Sequence, residues 1–231
     1  MDRDEILGWV ADGYDLVCDR YDWDRDSWWP NEMGDQSKAT LWALATFVTA
    51  AKARCVGADL VAACGMGDGA SAKKKQALLS EHWESHTVHE KRGVQNTEIL
   101  VDFSVHYPEA ASPIQFTGES EMFMRHGVGD RMTTEDDYSW DFYKLLVVPS
   151  ATRLFMARVG TLDGVSDVQR CGDLARSLRT IVDRFAVTYL RPHDEIGAFI
   201  FPSGKRIYQE SWVAWSDRGR LRLEKASPWG S

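Results

Sequence analysis

The sequence predicts a mixed α/β fold, and three observations carry that expectation. Apolar residues recur at three- and four-residue spacing from Lys38 to about Arg54, then alternate between His86 and Phe123, then return to helical spacing over 139–148 and 165–190. The resulting order is helix, three strands, helix, strand, then a further helix and strands. With 231 residues, 44% hydrophobic and 11% aromatic, the chain can bury a sizeable core, and its composition excludes a disordered protein.

Leu41, Leu44, Ala45, Val48 and Ala51 define the first helix, and "ADLVAAC" reads as a shorter second one. "GMGDGAS" (65–71) breaks it, with Ser71 as an expected N-cap for "AKKKQALLSEHWESH". These glycines do not meet the G-x-x-x-x-G-K-[ST] signature, and no apolar strand is expected before them, which argues against a phosphate loop. Alternation then gives strands in "HTVHEKRGV", "EILVDFSVHY" (98–107) and "PIQFTGESEMF" (113–123). In "SWDFYKLLVV", Trp140, Tyr143, Leu146 and Val147 fall at helical spacing, and "TRLFMARVG" reads as the next strand. Val168, Leu174, Leu178, Ile181, Val182 and Phe185 mark the apolar side of a long amphipathic helix, with Arg170, Arg176, Arg179 and Arg184 elsewhere on it. "IGAFIF" is a buried strand, and "SWVAWSDRGRLRLEK" a terminal hairpin turning near Asp217–Gly219.

Charge divides the chain unevenly. Residues 1–37 hold 11 acids against three arginines, a balance equal to the whole net charge of −8, so the remaining 194 residues are neutral. This segment also carries Trp23, Trp28 and Trp29. It is expected to dock on its own domain, or to present an acidic, aromatic surface that binds a basic protein partner or covers a basic groove. Residues 38–70 read as a helical extension packed on the core, and 71–231 as the α/β domain, all within one compact unit. The most apolar stretch, 41–51, is far short of the ~20 residues of a membrane span, and the N-terminus has acids where a secretory signal has basic residues. The expectation is a cytoplasmic protein without a membrane partner. The cysteines (Cys18, Cys55, Cys64, Cys171) form no CxxC pair and read as buried free thiols.

"IQFTGESEMF" raises the functional question, because alternation places Glu119 and Glu121 side by side on one face of a strand. Something positive is expected between them. Asp102 lies on the neighbouring strand, and Lys144 on the next helix, one turn after Asp141. A divalent cation held by Asp102 and Glu119 would suit phosphodiester hydrolysis, since magnesium prefers one or two carboxylates plus water and phosphate. Lys144 would stabilise developing charge or hold the attacking water. Glu121 would be a third ligand or a general base. Other roles remain open: Asp102 could cap a turn or pair with Lys91 or Arg92, the two glutamates could face solvent, and Lys144 could pair with Asp141. Glu81 and Glu84 either reach the metal as accessory acids or form a solvated helix face. His82, His86 and His89 are a lesser metal candidate. The basic clusters 73–75, Lys205 with Arg206, and Arg218, Arg220 and Arg222 could track phosphates or face solvent.

The segment from Ser71 to Gly160 resembles the PD-(D/E)XK nuclease superfamily, whose restriction-endonuclease-like core is αβββαβ with a central mixed sheet flanked by helices. Asp102 in "ILVDFSV" matches the family's first acid and Glu119 in "GESEM" its second. No proline precedes Asp102, and Glu121 stands where the family's Glu-x-Lys has its lysine. Some branches move that lysine to the following helix, where Lys144 in "DFYKLL" matches. The resemblance implies a Mg²⁺- or Mn²⁺-dependent endonuclease acting on nucleic acid, DNA before RNA. Asp102, Glu119 and Glu121 would be its metal ligands and Lys144 would join them in catalysis, in a possible homodimer. The alternative is an inactive nuclease-like scaffold serving as a protein-binding or regulatory module.

Overall fold

The computed structural model describes residues 1–23, 36–57, 59–65, 69–89, 101–109, 114–122, 135–189, 191, 193–203, 210–217 and 220–226. In chain order the elements are α1 (Arg3–Tyr21), α2 (Gln36–Arg54), β1 (Val61–Gly65), α3 (Gly69–Ser80), β2 (Ser85–His89), β3 (Phe103–His106) and β4 (Ile114–Glu121). They continue with α4 (Glu135–Val147), β5 (Ser150–Val159), α5 (Asp167–Tyr189), β6 (Glu195–Pro202), β7 (Trp212–Asp217) and β8 (Arg220–Lys225). Among the described residues the strands form one eight-stranded mixed sheet in the order β2-β1-β3-β4-β5-β6-β7-β8. The centre, β4-β5-β6, is parallel, and α4 and α5 make its crossovers.

Alternation along the central strands explains why helices cover both faces. On β5, Leu154 and Met156 join Phe116, Phe199 and Phe201 beneath α1, α2 and α3, whereas Phe155, Ala157 and Val159 join Ile196, Ala198 and Ile200 beneath α4 and α5. Strands buried on both sides read as continuous apolar runs, as "LFMA" and "IGAFIF" do. No helix among the described residues is long and apolar enough to cross a membrane.

The N-terminal segment belongs to this core as far as Trp23. An Asp2–Glu5 capping box starts α1, and Ile6, Trp9, Val10, Tyr14, Val17 and Cys18 are buried against α2 and the sheet. Trp28 and Trp29 lie outside the described residues. The helices α1 and α2 approach so closely that a Cβ at Gly13 would sit 2.6 Å from the Thr46 backbone nitrogen. Gly13→Ala should therefore cost about 3 kcal/mol, read as a lower thermal midpoint. Gly8→Ala on the same helix, where a Cβ meets nothing within 4 Å, should instead be neutral or stabilising by up to about 1 kcal/mol.

Several elements differ from the sequence expectation. "ADLVAAC" forms strand β1 from Val61 rather than a helix; a short apolar run bounded by glycines fits either element, and its length favours a strand. β1 enters between β2 and β3, so the three expected strands do not form a continuous meander. An apolar strand therefore does precede the glycine-rich stretch. α3 begins at Gly69, which places Ser71 inside its first turn, and ends at Ser80, which removes the helical spacing of His82 and His86. The apolar face of α4 is Tyr138, Phe142, Leu145 and Leu146, while Trp140 is 67% exposed. Arg170 turns inward and donates to the Gly160 carbonyl. The hairpin of β7 and β8 forms as expected, pairing Asp217 with Arg220, and all four cysteines are free thiols. The proposed pairings of Asp102 with Lys91 or Arg92, and the clusters at 205–206 and 218, fall outside the described residues.

Candidate active site

Antiparallel pairing brings the start of β3 beside the end of β4 and the end of β1. Asp102 sits in a bend just before β3, not within the strand. Its backbone N–H donates to Glu119 Oε2 at 2.8 Å, and its carbonyl accepts from the Gly65 N–H at 2.8 Å. Its Oδ2 accepts from both the backbone N–H and the hydroxyl of Ser120, at 2.9 and 2.8 Å. Glu119 is only 2% exposed and shares the α4 face of the sheet with its register neighbour Phe155.

The opposing strand end is met by α4. Lys144 reaches down to Glu119 Oε1 in an ion pair and also bonds Asp141 Oδ1 at 2.8 Å. Lys144 thus meets the expected carboxylate, Glu119, and also makes the plainer pairing with Asp141. The helix is fixed at its C-terminal end by Arg153, a fully buried residue of β5. Its guanidinium donates to the Leu145 and Val148 carbonyls at 2.8 and 3.0 Å and pairs with Asp194 at 3.1 Å. A cation on the free carbonyls of a helix terminus satisfies acceptors that the helix cannot satisfy itself. Arg153 thereby sets the height of Lys144 above the sheet.

A second lysine completes the group. Lys75 of α3 is nearly buried and donates to the Gly65 carbonyl at 3.1 Å, close enough to Asp102 for its charge to favour the carboxylate. Sequence reasoning placed it only in the "KKK" surface cluster. Its signal is positional: Lys75, Leu78 and Leu79 share the inward face of α3, while Lys73 and Lys74 are exposed.

Electrostatics oppose placing two anions here. Burial pushes Asp102 above its ordinary value, with Ser120, Lys75 and Lys144 pulling the other way. Burial, then the neighbouring Asp102, push Glu119 up to about 9 against the pull of Lys144. Burial also acts to lower Lys144, but Glu119 and Asp141 outweigh it and hold the ammonium above its ordinary 10.5. The site therefore favours cations, whether an ammonium, a shared proton or a metal.

Three expected members, Glu121, Glu81 and Glu84, are not assembled. Glu121 lies two residues beyond Glu119 and is partly exposed; among the described residues no group of three His, Cys, Asp or Glu side chains could hold a metal, so Glu121 is not a third ligand beside Asp102 and Glu119. The positive partner expected between Glu119 and Glu121 is, at Glu119, the ammonium of Lys144. Glu81 and Glu84 follow the end of α3 as exposed residues, and Glu81 pairs with Arg20 of α1. Comparison with protein-family models, with curated proteins and with solved structures finds no match for the chain.

Proposed function

We propose that the chain is a metal-dependent nuclease that hydrolyses phosphodiester bonds, with DNA the favoured substrate. The observation that carries this reading is the convergence of Asp102, Glu119 and Lys144 at one end of the sheet, joined by Lys75. Two adjacent carboxylates, Glu119 buried and Asp102 half-buried, match the donor set that Mg²⁺ or Mn²⁺ accepts from a protein, with water and phosphate completing the shell. When bound, such an ion would offset charge on the phosphate and make water a better nucleophile. Asp102 and Glu119 would hold it. The Lys144 ammonium would stabilise negative charge on the scissile phosphate from a position fixed by α4, and Lys75 would steady the Asp102 carboxylate from the other side. Trp140, one turn before Lys144 on α4, offers an exposed ring on which an unpaired base could stack.

The order β3, β4, α4, β5 supports likening this part to the restriction-endonuclease-like core: an antiparallel pair, a crossover helix and a parallel strand. The first strand of that core has a different neighbour here, because β1 lies between β2 and β3.

Cleavage of labelled single- and double-stranded oligonucleotides in Mg²⁺ or Mn²⁺ tests the proposal. Asp102→Asn, which keeps an oxygen acceptor for Ser120, should lower the rate about a thousandfold without loss of fold. A wild-type protein inert on DNA and RNA in both metals would sink it. One observation favours the inactive scaffold instead: Ser120, the Asp102 N–H and Lys144 already engage Asp102 Oδ2 and both Glu119 oxygens. A scaffold should gain no thermal stability from Mn²⁺, whereas a ligand that binds the native state raises it.

A further inference from the structure

A separate site, lined by cations, lies between α1 and α3. There a groove of about 710 Å³ is lined by Asp19, Arg20 and Tyr21 on one side and by Lys73, Lys74 and Glu81 on the other. The Tyr21 and Trp23 rings pack with centroids 5.3 Å apart, and three cations stand over them. Lys74 lies 5.2 Å from the Tyr21 centroid and 6.0 Å from that of Trp23, Lys38 lies 5.1 Å from Trp23, and Arg20 lies 5.8 Å from Tyr21. The Tyr21 hydroxyl also donates to the Lys74 carbonyl at 3.2 Å, tying the two helices together.

This arrangement is unusual for a chain of net charge −8. Among the described residues that line the groove, Arg20, Lys73 and Lys74 stand with two carboxylates, Asp19 and Glu81, and Glu81 is taken up by Arg20; Lys38 stands beside them over Trp23. Lys38 is pulled below its ordinary value by burial and then by Lys74, so the two ammonium groups repel each other. Rings beneath the ammonium groups fix their positions, which lowers the entropy lost when an anion binds. Gathering like charges in this way disfavours the empty groove and favours a polyanion in it.

We propose that this groove binds the phosphodiester backbone of a nucleic-acid strand. The continuity of α3 argues for that occupant over an acidic peptide. Lys73 and Lys74 face the groove, and the next residue, Lys75, turns to the Gly65 carbonyl beside Asp102. One helix would track the strand on its outer side and meet the carboxylates on its inner side. The groove's role in presenting substrate rests on the nuclease reading; its binding of a strand does not.

The test is fluorescence anisotropy of a labelled single-stranded oligonucleotide with the full chain in EDTA, so that cleavage plays no part. Wild type should bind, with affinity falling as salt rises. The double variant K73Q/K74Q should bind roughly tenfold more weakly, with its salt slope smaller by about 1.4, and with a thermal midpoint close to that of wild type, because both side chains are exposed and the ring contacts of Lys74 contribute little at a surface. K73Q alone, which leaves Lys74 over the rings, should lose about half of that slope. Wild-type affinity and slope in the double variant would overturn the proposal, as would displacement of the oligonucleotide by poly-glutamate as readily as by unlabelled DNA. Binding without cleavage in Mg²⁺ or Mn²⁺ would sink the nuclease reading alone. Cleavage with no effect of the lysine variants on binding would sink the groove alone.

Discussion

Glu119→Gln is expected to stabilise the protein while abolishing nucleic-acid cleavage, an opposition that separates a functional carboxylate from a structural one. The side chain is buried, and its carboxyl titrates near 9 in the folded chain against 4.5 as its ordinary value. Below about pH 4.5 both states are protonated and the group contributes nothing to the pH dependence. Between about 4.5 and 9 the unfolded carboxyl ionises while the folded one resists, so stability falls as pH rises; above 9 the loss is constant. Glutamine keeps the shape and the acceptor for the Asp102 N–H but carries no proton to lose. The gain should be negligible at pH 4 and on the order of 2 kcal/mol at pH 8, a rise of about 4 to 8 °C in thermal midpoint. Thermal melts at both pH values check this. A variant destabilised at pH 8 would show that Lys144 and the ionised carboxylate contribute more to the fold than burial takes away.

The second large effect is expected at Lys144. Lys144→Met removes the ammonium that faces Glu119 and keeps most of the side-chain volume. Breaking a buried ion pair from one side commonly costs 3–5 kcal/mol. Here the Glu119 carboxyl, pushed up to about 9, already holds a proton at neutral pH and leaves no bare charge behind, so a loss of about 2 kcal/mol is expected. Lys144 is held above its ordinary 10.5. Its stabilising contribution is complete below that value and lost only as the pH rises through its folded value, so the ammonium stays charged across the neutral range while Glu119 ionises only toward pH 9. In a double-mutant cycle, Lys144→Met should cost much less once Glu119 is glutamine, giving a coupling of about 1 to 3 kcal/mol. Additive losses would mean that the two side chains act independently and that the contact between them is incidental. Cleavage should fall in each single variant and not recover in the double one.

Periodicity made most of the fold legible. The helices α2, α4 and α5 and the strands β4, β5 and β6 lie close to where the pattern of apolar residues put them, because the helices bury a stripe of helical period and the central strands, covered on both faces, stand out as short apolar runs. Val61–Gly65 was not legible as a strand, since five small apolar residues carry too little pattern to distinguish strand from helix. Trp140 illustrates the same limit from the other side: its spacing fits the apolar stripe of α4, but four neighbouring residues fill that face and leave the ring in solvent.

The sequence by itself determined the α/β class, the acidic N-terminal end, and the three charged residues in candidate positions, because local spacing and residue chemistry suffice for these. Tertiary structure decided that Asp102, Glu119 and Lys144 meet, that Lys75 joins them, that Glu121, Glu81 and Glu84 do not, and that Lys38 and Lys74 gather over two rings. Those outcomes depend on strand register and on which helix face turns inward. Both are fixed by burying residues far apart in the chain, where no local pattern records the partner.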